Sequence, residues 1–135
     1  MRSLFLLLAS VIVCQGIFAG ELKTEVLDWE KACGGSAITV TTKDGQVVLI
    51  EAVATHFAET REWSCPFKAG QMVSATYQEH QLIRSSDPDG DQGVIDSKLK
   101  RLEVFSVRER GLDGMEDALK KDFDEFMRIV KARKR

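Results

Sequence analysis

Residues 36–53, SAITVTTKDGQVVLIEAV, decide the fold class of this chain. Ile38 and Val40 alternate with threonines, which is the period of a β-branched strand with one face on a core. Asp44 and Gly45 then stand together between two β-rich runs, and an Asp-Gly pair in that position is typical of a type I′ hairpin turn. The apolar run after the turn is therefore predicted to return antiparallel to the first strand.

Other segments predict more strands around this hairpin. Residues 72–78 and 99–107 are rich in β-branched and apolar residues, whereas residues 22–29 fit either a strand or a short helix. Residues 55–66 are interpreted as a connector, and residues 68–71 (KAGQ) as a turn. The expectation is a mainly β domain of five or six strands.

One helix is predicted, over residues 115–131. Its apolar residues recur at spacings of three and four and form a single stripe: Met115, Leu119, Phe123, Phe126 and Val130. Acidic residues lie near its start and basic residues near its end, which suits the helix dipole. The predicted organisation is an α+β chain with a β domain over residues 20–110 and an amphipathic helix with a basic end over residues 111–135.

The strand and turn pattern from Ile38 to about Val107 resembles the small OB-like β-barrels of bacterial envelope proteins. The resemblance rests on the hairpin ITVTTKDGQVVLI, on Thr55 and Phe57 in the connector, and on the turn and strand FKAGQMVSATY. It implies a small five- to six-stranded barrel and an extracytoplasmic setting. It carries no catalytic residue to this chain, because the pattern consists of turns and strands.

Residues 1–19 are predicted to be a cleavable signal peptide. Arg2 gives a short positive start, an apolar run covers residues 4–13, and Ala19 is a small residue at the expected cleavage point. The run is about half the ~20 apolar residues that a membrane span needs. The protein is therefore expected to be exported, either to a periplasm or to the outside of the cell. Lipidation of Cys14 is left open, although Val13 before it is larger than a lipobox favours.

Cys33 and Cys65 are the two cysteines that remain after cleavage. An even number of cysteines in an oxidising compartment favours a disulfide, so these two are predicted to pair. Two separate buried thiols are the alternative.

The composition excludes several classes of function. The chain has 19 basic and 21 acidic residues and a formal charge of −2, and loss of Arg2 with the signal peptide makes it one unit more negative. A slightly acidic exported domain is a poor nucleic-acid binder. No second apolar run is long enough for a membrane span after cleavage, and oligomeric state is left open.

An acidic loop at residues 85–93 is the candidate metal site. Its aspartates and a fourth just beyond it offer oxygen ligands of the kind that calcium prefers: Asp87, Asp89, Asp91 and Asp96. The spacing resembles the start of an EF-hand loop, but Gln92 and Lys98 occupy the positions where that loop needs glycine and a bidentate acid. A solvated loop is the favoured interpretation. No cofactor is predicted, and calcium is the alternative.

No pattern for catalysis is found in the sequence. His56 and His80 are not clustered with other metal ligands, and the chain contains neither a nucleophile elbow nor a glycine-rich phosphate loop. The chain is therefore predicted not to be an enzyme, with an unrecognised hydrolase site as an alternative.

Two groups of residues are candidates for a ligand or partner face. Trp63 and Tyr77 could present aromatic rings, as on oligosaccharide-binding barrels, although core packing is the favoured interpretation. The basic end of the helix could contact an acidic partner or an anionic membrane surface: Arg128, Lys131, Arg133, Lys134 and Arg135. The predicted function is an exported, non-catalytic binding or interaction module of the cell envelope, and a calcium-responsive envelope protein is the main alternative.

Overall fold

The computed structural model describes residues 21–31, 35–86, 90, 93–108, 111–112 and 114–133. The predicted signal peptide, Cys33, most of the acidic loop and the last two basic residues lie outside them. Eight strands and one helix follow in chain order: β1 Leu22–Asp28, β2 Ala37–Lys43, β3 Gln46–Thr55, β4 Glu59–Lys68, β5 Gln71–Met72, β6 Ser74–Arg84, β7 Val94–Arg108, β8 Gly111–Leu112 and α1 Asp117–Ala132.

The strands form one antiparallel sheet in the order β1-β2-β3-β4-β6-β7-β8, with β5 paired to the end of β4. Each long strand therefore lies beside its neighbour in the sequence. The mainly β, α+β prediction is confirmed. The OB-like barrel is not, because no pairing between β1 and β7 closes the sheet among the described strands.

Two tight turns set the register of the hairpins. Asp44 and Gly45 have φ values of 53° and 81°, which confirms the predicted turn with positive φ at both central residues. Ala69 and Gly70 repeat this geometry between β4 and β5, with φ values of 53° and 77°.

The segment interpreted as a connector, residues 55–66, is mostly strand β4, so that interpretation was wrong. Trp63 and Cys65 point to the buried face, and Glu62 and Ser64 alternate with them on the other face. The strand was missed because polar and charged residues at residues 59–62 hide its period of two.

Helix α1 packs against one face of the sheet, here called the inner face. Leu119, Phe126 and Val130 of the helix are buried with strand residues that include Trp63 and Tyr77. The predicted apolar stripe is thus the side of the helix that faces its own sheet. The helix crosses the whole sheet, because Glu116 just before it contacts Arg101 on β7 and Arg133 just after it contacts Glu25 on β1.

Candidate functional site

The candidate site lies where the C-terminal end of the helix meets two hairpin turns of the sheet. A cavity of about 360 Å³ opens there, here called the helix-end cavity. Ligand pockets usually measure about 300–1,000 Å³, so this one suits a small ligand. Its lining comes from both turns, β3, β4 and the helix: Gly45, Gln46, Val47, Ile50, Phe67, Gly70, Met127, Val130, Lys131 and Arg133.

The walls of the helix-end cavity are largely apolar. Ile50 and Val130 belong to the buried core, while Val47, Phe67 and Met127 are half-buried and pack against that core. The helix brings Met127 and Val130 to the cavity because they are three residues apart on one helical face. A flexible methionine in such a wall can adapt to the shape of a bound chain.

Two basic residues give the helix-end cavity its charge. Lys131 is exposed and no contact is seen for its ammonium group among the described residues, whereas the Arg133 side chain is only 8% exposed. Arg133 donates from Nη1 to the carbonyl oxygen of Val130 at 2.8 Å. This bond satisfies one of the carbonyls left open at the end of the helix.

Arg133 also lines a second cavity, of about 320 Å³, on the β1 side of its guanidinium. Its Nε lies 3.3 Å from the Glu25 carboxylate, and Glu25 lines the second cavity with Lys23 and Thr42. The guanidinium therefore stands between the two cavities, held by one carboxylate and one carbonyl. A buried cation in a fixed position is suited to recognising a carboxylate or phosphate group.

A line of charged residues anchors the helix along another part of the inner face. The Lys31 ammonium lies 2.9 Å from Asp122 and 2.7 Å from Glu125, and the Trp29 indole donates to Glu125 at 2.6 Å. The hydrogen bonds from Lys31 and Trp29 hold the pKa of Glu125 below its ordinary value. These contacts hold the helix to the segment after β1.

A second part of this line joins the helix start to β6 and β7. Arg101 contacts Glu103 beside it on β7, lies 3.1 Å from Glu116 and lies 3.6 Å from Glu79. Tyr77 donates its hydroxyl proton to Glu79 at 2.7 Å. Every carboxylate in this group therefore faces a donor, which is the arrangement of a structural network.

Trp63 and Tyr77, proposed from sequence as core residues or as a ligand face, both lie in the core. Their exposed fractions are 2% and 0%, and their ring centroids are 4.8 Å apart. Trp63 also packs against Phe105, Phe123 and Phe126 at centroid distances of 5.5–6.3 Å. Neither ring is free to stack on a ligand in solution.

Of the basic residues predicted as a ligand or partner face, the structure brings Lys131 and Arg133 to the helix-end cavity. Arg128 is exposed on the helix outside the lining, and Lys134 and Arg135 lie outside the described residues. Sequence reasoning missed Glu25 and the apolar wall residues. They lie on strands far from the helix in sequence, and no local pattern links them to it.

The metal and disulfide predictions fall mainly outside the described residues. Asp87, Asp89 and Asp91 lie there, while Asp96 is exposed on β7 and accepts a hydrogen bond from the Ser97 amide at 2.8 Å. No group of three metal-ligating side chains occurs within the described ranges.

Cys33 also lies outside the described residues, so its pairing with Cys65 stays a prediction. Cys65 is fully buried, and burial raises the pKa of its thiol to about 12.

The chain matches no family model, no curated protein and no solved structure. In the part of the chain that the structure describes, no helix combines the length and apolar character needed to cross a membrane. Evidence for function therefore comes from the residues of this chain alone.

Proposed function

We propose that this chain is an exported, non-catalytic binding module of the cell envelope, and that its ligand is an anionic amphiphile held in the helix-end cavity. One observation carries the proposal: a cavity of about 360 Å³ combines apolar walls with Lys131 and Arg133. Export is supported by the signal-peptide pattern of residues 1–19. The proposal does not depend on the OB-like resemblance, which remains a hypothesis about the pattern of residues 38–107.

The two parts of the cavity recognise two parts of such a ligand. An alkyl chain would lie along Val47, Phe67 and Met127, and each buried CH₂ contributes about 0.8 kcal/mol. The carboxylate or phosphate would face the Lys131 ammonium and the edge of the Arg133 guanidinium that Glu25 and Val130 leave open. Charge-assisted hydrogen bonds of this kind contribute roughly 1.5–3 kcal/mol, which favours an anionic head over a neutral one.

Calorimetric titration with dodecanoate, below its micelle concentration, tests the proposal on the processed chain. We expect saturable binding, and about tenfold weaker binding of dodecanol, which has the same chain without the charge. Lys131→Ala should weaken dodecanoate binding about tenfold. Lys121→Ala, on an exposed part of the helix outside the cavity lining, is the matched control and should leave the affinity unchanged.

A second variant tests the apolar wall. Val47→Asp places a carboxylate in the wall and should abolish dodecanoate binding, while the unfolding transition shows that the variant is folded. Equal affinity for dodecanoate and dodecanol would contradict anion recognition. Binding to phosphatidylglycerol vesicles without any binding of dodecanoate would overturn the cavity proposal and favour the membrane-surface interpretation of the basic end.

A further inference from the structure

Within the residues that the structure describes, the long strand β7 has an open edge. It pairs with β6 over nearly its whole length, but on its other side it meets only β8, at Val107 and Arg108. Among the described residues, no backbone hydrogen bond is made on that side by residues 94–106. An unpaired edge of this length is a template for another strand.

The backbone groups that face this edge can be identified. The Val107 amide donates to the Val73 carbonyl at 3.3 Å, on the β6 side of the strand. Backbone polar groups in an antiparallel strand alternate between its two sides, so the N–H and C=O groups of Leu102 and Val104 point to the open edge. Their side chains lie on the outer face of the sheet, opposite to the helix, and are 52% and 63% exposed.

The other edge of the sheet differs from β7 in a way that matters for pairing. Strand β1 has seven residues, and Lys23 and Glu25 alternate along its inner face. Short, charged edge strands resist pairing with other chains. Strand β7 has fifteen residues, more than twice as many as β1, so its open edge offers the longer template for another strand. Strand addition is therefore expected at β7 and not at β1.

We propose that the occupant of this edge is a second copy of the chain, paired antiparallel through β7 about a two-fold axis at Leu102. With the axis there, Leu102 faces its own copy, and Glu103 of each chain faces Arg101 of the other. This pairing therefore brings two pairs of opposite charge together, one Arg101–Glu103 pair on each side of the axis. Leu102 also directs its polar groups to the edge, so the central pair exchanges two backbone hydrogen bonds.

Neighbouring positions of the axis are less favourable. An axis at Lys100, Arg101 or Glu103 places a residue opposite its own like charge, which destabilises a cross-strand pair. An axis at Val104 brings no opposite charges together, and β8 then blocks the residues after Ser106. Among the axis positions from Lys100 to Val104, Leu102 is the one that joins opposite charges without opposing like ones.

The pairing has a defined length and charge arrangement. A bulge in the β6–β7 ladder, between Glu79 and His80, leaves Lys100 unpaired and shifts the alternation beyond it. Regular pairing therefore spans residues 100–104 of both copies. Arg101 already contacts Glu103, Glu116 and Glu79 of its own chain, so the two copies would form a ring of alternating charges on the inner face. On the outer face, Leu102 and Val104 of both copies would form one apolar patch.

Sedimentation equilibrium of the processed chain over a range of concentrations tests the dimer. We expect reversible self-association in the micromolar range, as suits a small interface. Leu102→Asp places two carboxylates opposite each other at the axis and should weaken association at least tenfold. Val26→Asp is the matched control on β1, where the valine is 66% exposed, and should change nothing.

A charge exchange tests the register. Glu103→Arg alone opposes arginines and should weaken association, whereas the double variant Arg101→Glu and Glu103→Arg restores opposite charges and should recover it. A monomeric chain up to millimolar concentration would overturn the proposal, as would an equal effect of Leu102→Asp and Val26→Asp. A double variant that associates no better than Glu103→Arg, while showing the same unfolding transition, would contradict the Leu102 axis.

Discussion

The two faces of the sheet are built from alternating residues of the same strands, yet they meet different surroundings. On the inner face Trp63 and Tyr77 are buried under the helix together with Phe126. On the outer face Leu102 and Val104 are at least half exposed, although they are as apolar as many residues inside. The comparison shows that alternation decides which face a residue joins, whereas the position of the helix decides which face becomes the core.

The difference assigns different roles to residues of similar chemistry. Apolar residues of the inner face contribute to stability, because folding removes them from water. Apolar residues of the outer face contribute little to the stability of the monomer and are available for contacts with another molecule.

The largest expected effect is that of Phe126→Ala on the inner face. Phe126 is fully buried and packs against Trp29, Trp63 and Phe123 at ring-centroid distances of 5.1–5.7 Å. Removing a buried phenylalanine leaves a cavity, so we expect the free energy of unfolding in denaturant to fall by about 3–5 kcal/mol.

Val104→Ala is the outer-face control for this variant. An exposed site of this kind should change the unfolding free energy by less than about 0.5 kcal/mol. Equal losses in the two variants would contradict the division between the faces. Unfolding should be measured at a concentration where the chain is monomeric, so that self-association does not contribute.

The next effect compares two neighbouring positions of β4. In a Cys33→Ser background, the thiol of Cys65 on the inner face should react with an alkylating reagent at pH 8 roughly a hundredfold more slowly than an introduced thiol at Ser64→Cys on the outer face. Cys65 is fully buried and its pKa is raised to about 12, so the reactive thiolate is both scarce and inaccessible. Mass spectrometry of timed samples measures the rates.

Equal rates at the two positions would mean that Cys65 is not shielded by the helix. The same reagents also test the predicted disulfide in the unaltered chain. If Cys33 and Cys65 are paired, the denatured but unreduced processed chain should incorporate no label, and two labels should appear after reduction.

A smaller effect is expected on the inner face, where Glu125 of the helix contacts Lys31 and Trp29 after β1. Its pKa is lowered in the folded chain by the hydrogen bonds from Lys31 and Trp29, so its ionised form stabilises the fold. This contribution is present above the unfolded pKa of about 4.3 and is lost as pH falls through the lower folded value. Glu125→Gln should cost about 1 kcal/mol at pH 7, since the carboxylate is partly exposed and screened.

The loss caused by Glu125→Gln should become smaller as pH falls through the lowered folded pKa of Glu125, because the unaltered carboxyl then becomes protonated as well. Thermal unfolding of both chains between pH 3 and pH 7 measures this. Asp124→Asn is a suitable comparison, since Asp124 makes an exposed ion pair with Lys120, and exposed pairs contribute little to stability. A constant loss for Glu125→Gln over this pH range would show that the charge of Glu125 is not what stabilises the helix contact.

The parts of the fold that the sequence predicts well are those determined by residues close together in the sequence. The turn at Asp44 and Gly45 follows from the positive φ that both residues tolerate, and the helix follows from apolar residues at spacings of three and four. The basic end is likewise visible in the sequence, because the charges of Lys131 and Arg133 stand close together there. These features need only neighbours within a few residues.

The remaining features depend on residues that are far apart in the chain. The sequence predicts a connector where β4 lies, because polar residues hide the period of the strand. Only the register with β3 shows that Trp63 and Cys65 point inward. Among the described strands, the openness of the sheet depends on which strands pair, and the helix-end cavity depends on where the helix lies. The ion pair of Arg133 with Glu25 joins opposite ends of the described chain. No local pattern predicts such contacts, so sequence reasoning could name the basic residues but not the cavity that they line.

The position of the helix after all the strands affects the order in which the fold can be completed. A chain that is synthesised or threaded through a membrane in the usual direction presents the strands first, and the hairpins between neighbouring strands can form early. Until the helix arrives, however, Trp63 and Tyr77 have no cover, and such half-finished chains tend to aggregate. The time between the emergence of β7 and the docking of the helix is therefore when this protein would most need a chaperone.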